Sequence, residues 1–374
     1  MNILIAPDKF KGSLSAQAVC TALQKGLQSA RSDIEITTKP LADGGDGSLA
    51  VLDHYLNLKT IERSVYDPLM RSITAHYKFD LKTKTAYIEM SAASGLVLLK
   101  EEERNPLKTT TYGTGELIQD AIEQGAETIY LFIGGSATND GGIGIANALG
   151  YEFYDKNDKL IPPTAEFLNR LSYIENDNVI NIEQIDIKVI CDVNNPFFGE
   201  NGAAYVYARQ KGAHSDIMIL FLDHVLKHLA KVLVQQGYPE ISNIPGAGAA
   251  GGVGGGMMAF FDATLLSGIQ MFIELTKLEK AIANCDLIIT GEGKLDAQTA
   301  QGKVISGVCA LAKKYDKPVI AVCGAADLIA VKEMNLEQVY TVLERSNSVE
   351  DAMENAADKL VLIGKTIAQR VTSN

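Results

Sequence analysis

Six aspartates stand where a predicted strand ends or where the chain passes through a glycine-rich turn. They are Asp8, Asp43, Asp46, Asp140, Asp192 and Asp296. Asp is a common turn and cap residue, so each of them alone is typical of an ordinary loop. Phosphoryl transfer, however, needs carboxylates for Mg²⁺ and a group that orients the attacking hydroxyl. The shared location of the six residues therefore indicates this chemistry.

Two lysines could supply positive charge to such a site. Lys11 lies in "DKFKGSLS", just before a helix that Ser13 or Ser15 can cap, and Lys211 lies in "QKGA". A cation next to a transferring phosphoryl group stabilises the charge that develops there. The alternative for both residues is an ordinary lysine on a hydrated surface.

Glycine-rich loops at predicted strand ends form the second half of the pattern. Four such loops are "PLADGGDGS" 40–48, "GGSATNDGG" 134–142, "PGAGAAGGVGGG" 245–256 and "TGEGKLDAQT" 290–299. Glycines let the backbone approach a ligand and turn its N–H groups inward, and a helix beginning near Gly144 would add its N-terminus to the anion site. A single loop of this kind is usually a tight turn, but four of them favour a phosphate-rich ligand.

Apolar runs separated by helical patterns must position these loops. The predicted strands are 2–6, 128–133, 187–193, 285–290, 318–324 and 339–343, with helices around 114–124, 274–284 and 304–315 among those between them. Continuous Val, Ile and Leu strands that alternate with helices predict parallel sheets covered on both faces. Ligands of such folds bind beyond the carboxyl ends of the strands.

The middle of the chain differs from both ends. Residues 60–90 alternate between apolar and polar side chains, which predicts antiparallel strands, and residues 151–185 are polar and loop-rich. We therefore predict an α/β protein in which a second, mixed α/β domain is inserted into a Rossmann-like parallel-sheet domain. The predicted domains are 1–60 plus 280–374 and 61–279.

Composition excludes several classes of partner. The 374 residues carry a formal net charge of -12, which argues against a nucleic-acid backbone or an anionic membrane. The five cysteines contain no C-x-x-C pair, and their apolar surroundings favour reduced thiols and a cytoplasmic location. The uncharged stretch 241–261 is long enough to cross a bilayer, but its many glycines predict a loop system instead.

Other familiar motifs fit poorly. Gly246, Gly248 and Gly251 spell G-x-G-x-x-G, but Pro245 and a polar segment precede them where the dinucleotide fingerprint requires a strand. A P-loop is absent because "GKT" 364–366 lies in a predicted helix and lacks the first glycine. His224 and His228 lack the further residues of a zinc motif.

The loops taken together resemble successive motifs of the bacterial glycerate kinases of the two-domain α/β type. The matching segments are "APDKFKGSLSA" 6–16, "PLADGGDGS" 40–48, "IEMSAASGL" 88–96, "TTYGTGELI" 110–118, "GGSATNDGG" 134–142, "CDVNNPFFGENGA" 191–203, "QKGA" 210–213, "PGAGAAGG" 245–252 and "TGEGKLDAQTAQGK" 290–303. They occur in the family's order from residue 3 to about 325.

This resemblance implies a specific activity and architecture. The protein would transfer the γ-phosphate of ATP to D-glycerate with Mg²⁺, and 2-phosphoglycerate is the favoured product. Its two domains would face each other across a cleft. Glycerate and ATP are then the expected partners, and a homodimer is compatible with the sequence.

We assign roles to single residues within this framework as hypotheses. Asp192 would orient or deprotonate the attacking hydroxyl, Lys11 would stabilise the transferring phosphoryl group, and Glu292 and Asp296 would hold the metal. The predicted substrate-binding residues are Asp8, Ser13, Asp43, Asp46 and Lys211. The predicted nucleotide- and phosphate-binding residues are Gly134, Gly135, Ser136, Thr138, Asn139, Asp140, Gly246, Gly248 and Gly251.

Two other functions stay open at this point. The literal G-x-G-x-x-G would suit an NAD-dependent hydroxy-acid dehydrogenase, and glycine loops alone would suit a non-catalytic protein that binds phosphorylated metabolites. The many carboxylates at strand ends favour the kinase over both.

Overall fold

The computed structural model shows two compact units, each with its own core. It describes residues 1–45, 47–296, 304–327, 329 and 332–371, with only the backbone of residue 333. The first unit contains Met1–Asp43, Ala50–Tyr55 and Ser267–Asn374, and the second contains Gly44–Leu49 and Leu56–Leu266. The predicted α/β class and two-domain arrangement are confirmed. The boundaries 1–60 plus 280–374 and 61–279 stay a prediction.

The strands are numbered in chain order. They are β1 (Asn2–Ile5), β2 (Glu35–Thr38), β3 (Lys59–Tyr66), β4 (Ser72–Asp80), β5 (Thr85–Glu89), β6 (Thr128–Phe132), β7 (Glu152–Asp155), β8 (Leu171–Glu175), β9 (Asp186–Ile190), β10 (Thr264–Leu266), β11 (Leu287–Leu295), β12 (Val319–Ala326) and β13 (Gln338–Thr341).

The helices are numbered in the same way. They are α1 (Ala16–Ala30), α2 (Ser48–Tyr55), α3 (Ser91–Ser94), α4 (Tyr112–Glu123), α5 (Ile143–Ala148), α6 (Ala203–Tyr207), α7 (Asp216–Gln235), α8 (Ala249–Phe261), α9 (Gly268–Thr276), α10 (Leu278–Ala283), α11 (Val304–Lys314), α12 (Val349–Glu354) and α13 (Ala356–Arg370).

A parallel sheet organises the first unit. Its strand order is β13-β12-β11-β1-β2, and each described pair of neighbours is parallel. The inner strand β1 is apolar and buried: Ile3, Leu4 and Ile5 are each at most 1% exposed, as is typical of a strand inside a parallel sheet. The carboxyl end of β1 lies beside the middle of β11, because Ile5 pairs with Ile289. Asp8, which follows β1, stands next to the part of β11 that carries Glu292.

Helices α1 and α13 pack closely in the first unit. The side chain of Ser15 caps α1 by accepting a hydrogen bond from the Ala18 N–H at 3.2 Å. Gly26 and Gly364 lie at the contact, and a Cβ on Gly26 would stand 2.2 Å from the Val361 carbonyl oxygen. Both glycines are thus required by the distance between two helices, although glycine is a poor helix former.

A mixed sheet organises the second unit. Its order is β10-β9-β6-β5-β4-β3, in which β3 and β4 are antiparallel and β5, β6, β9 and β10 run parallel. The prediction of antiparallel strands in 60–90 is confirmed. Strands β7 and β8 form a separate antiparallel pair, within the segment 151–185 that we predicted to be rich in loops.

The glycine-rich stretch 241–261 is where the structure departs from the sequence-based prediction. Most of it forms helix α8, which is kinked where Ala250, Gly251 and Gly252 take left-handed conformations. Predicting a loop system was therefore wrong, because these glycines serve close packing around a helix. Across the described ranges, no helix has the length and apolar character needed to cross a membrane.

The contact between α1 and α13 yields a prediction about stability. Helix propensity alone predicts that Gly26→Ala stabilises α1 by about 0.5–1 kcal/mol. We expect the opposite, a loss of about 1–3 kcal/mol in the free energy of unfolding, because the new methyl group overlaps the Val361 carbonyl oxygen. Urea unfolding measures the change. The exposed Gln28→Ala on the same helix is the control, and a Gly26→Ala protein as stable as that control would contradict the packing account.

Candidate active site

The loop after β6 is polar but buried. Ser136, Thr138, Asn139 and Asp140 are each at most 5% exposed. Asp140 is the centre of this loop, because its Oδ2 accepts hydrogen bonds from both the N–H and the hydroxyl of Thr111 at 2.8 Å. Its Oδ1 accepts from the N–H of Gly142 at 3.1 Å. Burial raises the pKa of Asp140, and these hydrogen bonds act in the opposite direction.

The hydroxyl of Thr111 links Asp140 to the start of α5. Thr111 Oγ1 accepts a hydrogen bond from the Ile145 N–H at 3.0 Å and donates to Asp140 Oδ2 at 2.8 Å. The hydrogen bonds from Thr111 and Gly142 favour the ionised form of Asp140, because they stabilise a carboxylate, and so oppose the effect of burial.

These contacts change the interpretation of the helix N-terminus at α5. The sequence predicts an anion site formed by backbone N–H groups near Gly144. In the structure, Asp140 accepts from the Gly142 N–H, and the Gly144 N–H lowers the pKa of the same carboxylate. The Ile145 N–H donates to the hydroxyl of Thr111. The protein's own side chains thus occupy the N–H groups of this short helix. A phosphate ligand would have to bind other groups of the loop.

Lys211 is a buried cation beside the same loop. Its Nζ donates to Ser136 Oγ at 2.8 Å and to the Thr138 carbonyl at 2.7 Å, and the residue is 2% exposed. Burial lowers the pKa of Lys211 to about 7, and the Asp140 carboxylate opposes this change. A buried lysine without a direct carboxylate partner is costly, and such groups occur mainly at functional sites.

Asn139 and Thr138 carry buried polar atoms that lack a hydrogen-bond partner. They are both amide atoms of Asn139 and the hydroxyl of Thr138, as far as the described residues are concerned. Leaving a buried donor or acceptor unpaired costs about 1–3 kcal/mol. Such groups suit a polar ligand, and the phosphate-binding role of this loop stays a prediction.

The glycine-rich segment that opens α8 packs against protein atoms. A Cβ on Gly251 would stand 2.1 Å from the Thr138 carbonyl oxygen, and one on Gly248 would stand 2.1 Å from the Pro196 carbonyl oxygen. Gly246 has a φ of +88°, a conformation that favours glycine. No strand immediately precedes these residues, so the dinucleotide fingerprint has no structural support. Their nucleotide-binding role stays a prediction.

Gly134 and Gly135 begin the loop after β6. Gly135 has a φ of +73°, and its carbonyl oxygen accepts from the Leu96 N–H at 2.9 Å. Neighbouring Ser136 forms a bridge with Gly95. The two glycines thus form the turn after β6, which pairs with the segment after α3. Their predicted contact with phosphate stays a prediction.

An acidic cluster in the first unit combines carboxylates that follow β1 and β2 with one that lies within β11. We use this name for Asp8, Asp43 and Glu292; Asp8 and Glu292 are each 6% exposed. Burial raises the pKa of Asp8 well above its ordinary value, and repulsion from Asp43 and Glu292 raises it further. Asp8 N–H binds the Gly291 carbonyl at 2.8 Å, which keeps Asp8 beside β11.

The acidic cluster has the chemistry of a cation site. Oxygen ligands suit Mg²⁺, which typically uses one or two carboxylates with phosphate oxygens and water. No group of three or more His, Cys, Asp or Glu side chains in the described ranges is arranged to hold a metal by itself. Asp296, which the sequence groups with Glu292, forms an ion pair with Lys294 at 3.3 Å. The structure instead brings Glu292 together with Asp8 and Asp43.

The remaining predicted site residues occupy different surroundings. Lys11 is exposed, and its backbone N lies 3.0 Å from where a Cβ of Gly293 would stand. Ser13 donates its hydroxyl to the Met353 carbonyl at 2.5 Å, so it already has a structural partner. Asp192 follows β9 by two residues and is partly buried. Asp46 lies outside the described residues.

Sequence reasoning missed two residues of the second unit. Thr111 lies within the quoted "TTYGTGELI" motif but received no role, although Thr109, Thr110 and Thr111 are buried and buried hydroxyls need partners. Arg104 packs its backbone and Cβ against Gly212, next to Lys211, and its Nε is buried without a hydrogen-bond partner in the described part of the chain. A sequence pattern alone shows neither contact.

The two units therefore suit ligands of opposite charge. The second unit presents a buried ammonium group and unpaired amide atoms, which suit an anionic oxygen. The first unit presents clustered carboxylates, which suit a divalent cation.

Comparison with known protein families gives a match along nearly the whole chain. The family model described as "Glycerate kinase family" matches residues 3–372. This match agrees with the resemblance that the loop motifs indicate.

Individual relatives and a solved structure agree with that match. "Glycerate 2-kinase" of Escherichia coli (strain K12) is 41% identical over 371 residues, covering 98% of this chain and 97% of the relative. "Glycerate kinase" of Bacillus cereus (strain ATCC 10987 / NRS 248) is 40% identical over 371 residues, covering 98% and 97%. A crystal structure of the protein assigned as glycerate kinase 2 of Salmonella typhimurium LT2 has a TM-score of 0.84 and 38% identity, covering 100% of this chain and 98% of that one.

The buried ammonium group of Lys211 yields a prediction about stability and pH. Between the folded pKa of about 7 and the ordinary value of 10.5, the unfolded chain binds the proton more tightly. Wild-type stability therefore gains from this group as pH rises through that window, and below pH 7 the full penalty of the buried charge applies. Lys211→Met removes the penalty, so we expect it to raise the melting temperature at pH 6 more than at pH 10.

Thermal melts of the wild type, Lys211→Met and Lys231→Met at both pH values measure this effect. Lys231 is an exposed lysine of α7 and serves as the control. A Lys211→Met protein that is less stable than the wild type at pH 6, or whose advantage does not shrink at pH 10, would contradict a buried ammonium group.

Proposed function

This chain belongs to the glycerate kinase family, and we propose that it catalyses the ATP- and Mg²⁺-dependent phosphorylation of D-glycerate. The observation that carries this proposal is the family match along residues 3–372. The relative named glycerate 2-kinase, which is 41% identical, supports 2-phosphoglycerate as the product.

The polar loop of the second unit has the groups that an anionic reactant requires. We propose that Lys211 binds an anionic oxygen of glycerate, because its Nζ is held in place by Ser136 and the Thr138 carbonyl. The unpaired amide of Asn139 would donate to or accept from the same reactants. A charge-assisted hydrogen bond of this kind is about twice as strong as a neutral one.

The acidic cluster of the first unit is the proposed metal site. Asp8 and Glu292 would hold Mg²⁺ together with phosphate oxygens of ATP, and repulsion among the buried carboxylates supports this assignment. Bound Mg²⁺ would neutralise charge on the phosphates during transfer. Asp296 is the second candidate for this role, since it directly follows β11, the strand that contains Glu292.

Asp192 and Lys11 are the proposed catalytic residues. Asp192 follows the carboxyl end of β9, and from there its carboxylate would accept the proton of the attacking hydroxyl. Lys11 is exposed after β1 and can donate to a phosphoryl oxygen. Phosphoryl transfer then consists of positioning and charge stabilisation, with little covalent chemistry for the protein to perform.

Turnover tests the proposed function directly. We expect ADP release from ATP and Mg²⁺ only when D-glycerate is present, and a phosphorus NMR spectrum of the product should show 2-phosphoglycerate. L-Glycerate is the matched control for the substrate. Reduction of NAD⁺ by glycerate without ADP release would instead indicate the dehydrogenase, and ligand-dependent thermal stabilisation without turnover would indicate a binding protein.

Three carboxylate variants separate the proposed base from the proposed metal ligands. Each of Asp8→Asn, Asp192→Asn and Asp296→Asn removes one negative charge at nearly constant volume. We expect Asp192→Asn to lower kcat about a hundred- to thousandfold, a loss of about 2.7–4 kcal/mol, with an unchanged Mg²⁺ requirement. Asp8→Asn should raise the Mg²⁺ concentration for half-maximal rate, with partial rescue by excess metal.

Asp296→Asn tests the second candidate for the metal site, and the ion pair of Asp296 with Lys294 argues against that role. Its Mg²⁺ requirement should match that of the wild type. If Asp296→Asn raises the requirement and Asp8→Asn does not, the metal lies at the Glu292–Asp296 position that the sequence spacing suggests. A metal-dependent rescue of Asp192→Asn would overturn its assignment as the base.

A further inference from the structure

Asp140 lacks the open coordination of a ligand-binding carboxylate. Its two oxygens accept hydrogen bonds from Thr111 and from the Gly142 N–H, and it is fully buried. A carboxylate that is saturated by donors of its own protein has little capacity left for a metal ion or a ligand hydroxyl. Its role in the site must therefore be exerted through a neighbouring group.

Lys211 is the neighbour that needs this charge. Its Nζ contacts Ser136 Oγ and the Thr138 carbonyl, which are both neutral acceptors. Burial disfavours the ammonium form, and the carboxylate of Asp140 is the charge that favours it. The loop that carries Ser136, Thr138 and Asp140 thus supplies both the acceptors and the counter-charge of one lysine.

Other charged groups lie around Lys211 but do not replace Asp140. Arg104 lies on the segment packed against Gly212 and is itself a cation. Arg209 forms an ion pair with Asp216, and His214 is exposed on the same turn. Among the described residues, Asp140 is the charge that raises the proton affinity of Lys211.

We propose that Asp140 is a positioning residue that keeps the buried Nζ of Lys211 in its ammonium form, so that Lys211 can bind an anionic oxygen of the substrate. This inference rests on the proposed function for the identity of the substrate, D-glycerate. The anionic oxygen could belong to the carboxylate of glycerate or to a phosphate of ATP, and we assign it to glycerate. Asp140 itself touches neither reactant.

A pH profile tests this coupling. In the wild type, kcat/KM for D-glycerate at saturating ATP should fall above about pH 7, because this ratio reports the ionisation of the free enzyme. Asp140→Asn removes the counter-charge, so the alkaline limb should move by about 1 pH unit towards acid. At pH 7.5 the variant should have a raised KM for D-glycerate and an unchanged KM for ATP. A raised KM for ATP alone would assign Lys211 to a phosphate and overturn the assignment to glycerate.

Two further variants separate charge from structure. Thr111→Val removes one donor to Asp140 but leaves the carboxylate and its other donors, so it should lower the melting temperature and move the limb less than Asp140→Asn does. Lys211→Arg carries a cation that stays charged over this pH range, so the alkaline limb should disappear. An unmoved limb in Asp140→Asn, or an equal shift in Thr111→Val, would refute the proposal.

A direct titration distinguishes failure of this inference from failure of the proposed function. If the wild type shows no glycerate-dependent ADP release, the proposed function fails, but the coupling can still be measured. Lysine side-chain ¹⁵N NMR, assigned with Lys211→Met, gives the pKa of Lys211 in the wild type and in Asp140→Asn without any substrate. The coupling is refuted if the two proteins titrate alike, or if Asp140→Asn titrates at higher pH.

Discussion

The buried carboxylate of Asp140 is the constraint on which the second unit's site depends. A charge that is removed from water must be surrounded by hydrogen-bond donors, and Asp140 obtains them from Thr111 and from the start of α5. This requirement joins the end of β6 to the start of α4. Gly144 permits the approach, because its Cβ would stand 2.4 Å from Thr110 Oγ1. The loop geometry then fixes where Ser136 and the Thr138 carbonyl receive Lys211.

Each unit contains an ionisable group whose charged form is disfavoured by burial. Burial lowers the pKa of Lys211 in the second unit and raises the pKa of Asp8 in the first. Neither arrangement helps folding, because each charged form is less favourable than it would be in water. Proteins keep such groups where the function needs them. The two groups carry charges of opposite sign, which agrees with the proposal that one binds an anionic substrate and the other a divalent metal.

The sequence predicted many of the regular elements well, whereas the location of the site stays a prediction. Apolar runs such as 128–133 correspond to buried strands, since the hydrophobic period reports burial directly. The sequence was less informative about the glycines of 241–261, from which we predicted loops. Gly251 and Gly256 lie in α8, where the lack of a side chain leaves room for the loop that contains Thr138 and Gly141. Roles that depend on contacts between distant segments, such as the bond from Thr111 to Asp140, have no local signature. The grouping of Asp8 with Glu292 likewise required the parallel pairing of β1 and β11.

In the proposed mechanism, Lys211 is a buried cation that binds an anionic oxygen of the substrate. The most direct measurement is a ¹⁵N NMR titration of the Lys211 side chain in the wild-type protein, without ligand and with saturating D-glycerate. The account predicts a pKa of about 7 without ligand, and a clear increase with D-glycerate, because a bound carboxylate favours the ammonium form. A Lys211 that titrates near the ordinary lysine value of 10.5 and does not respond to D-glycerate would contradict it.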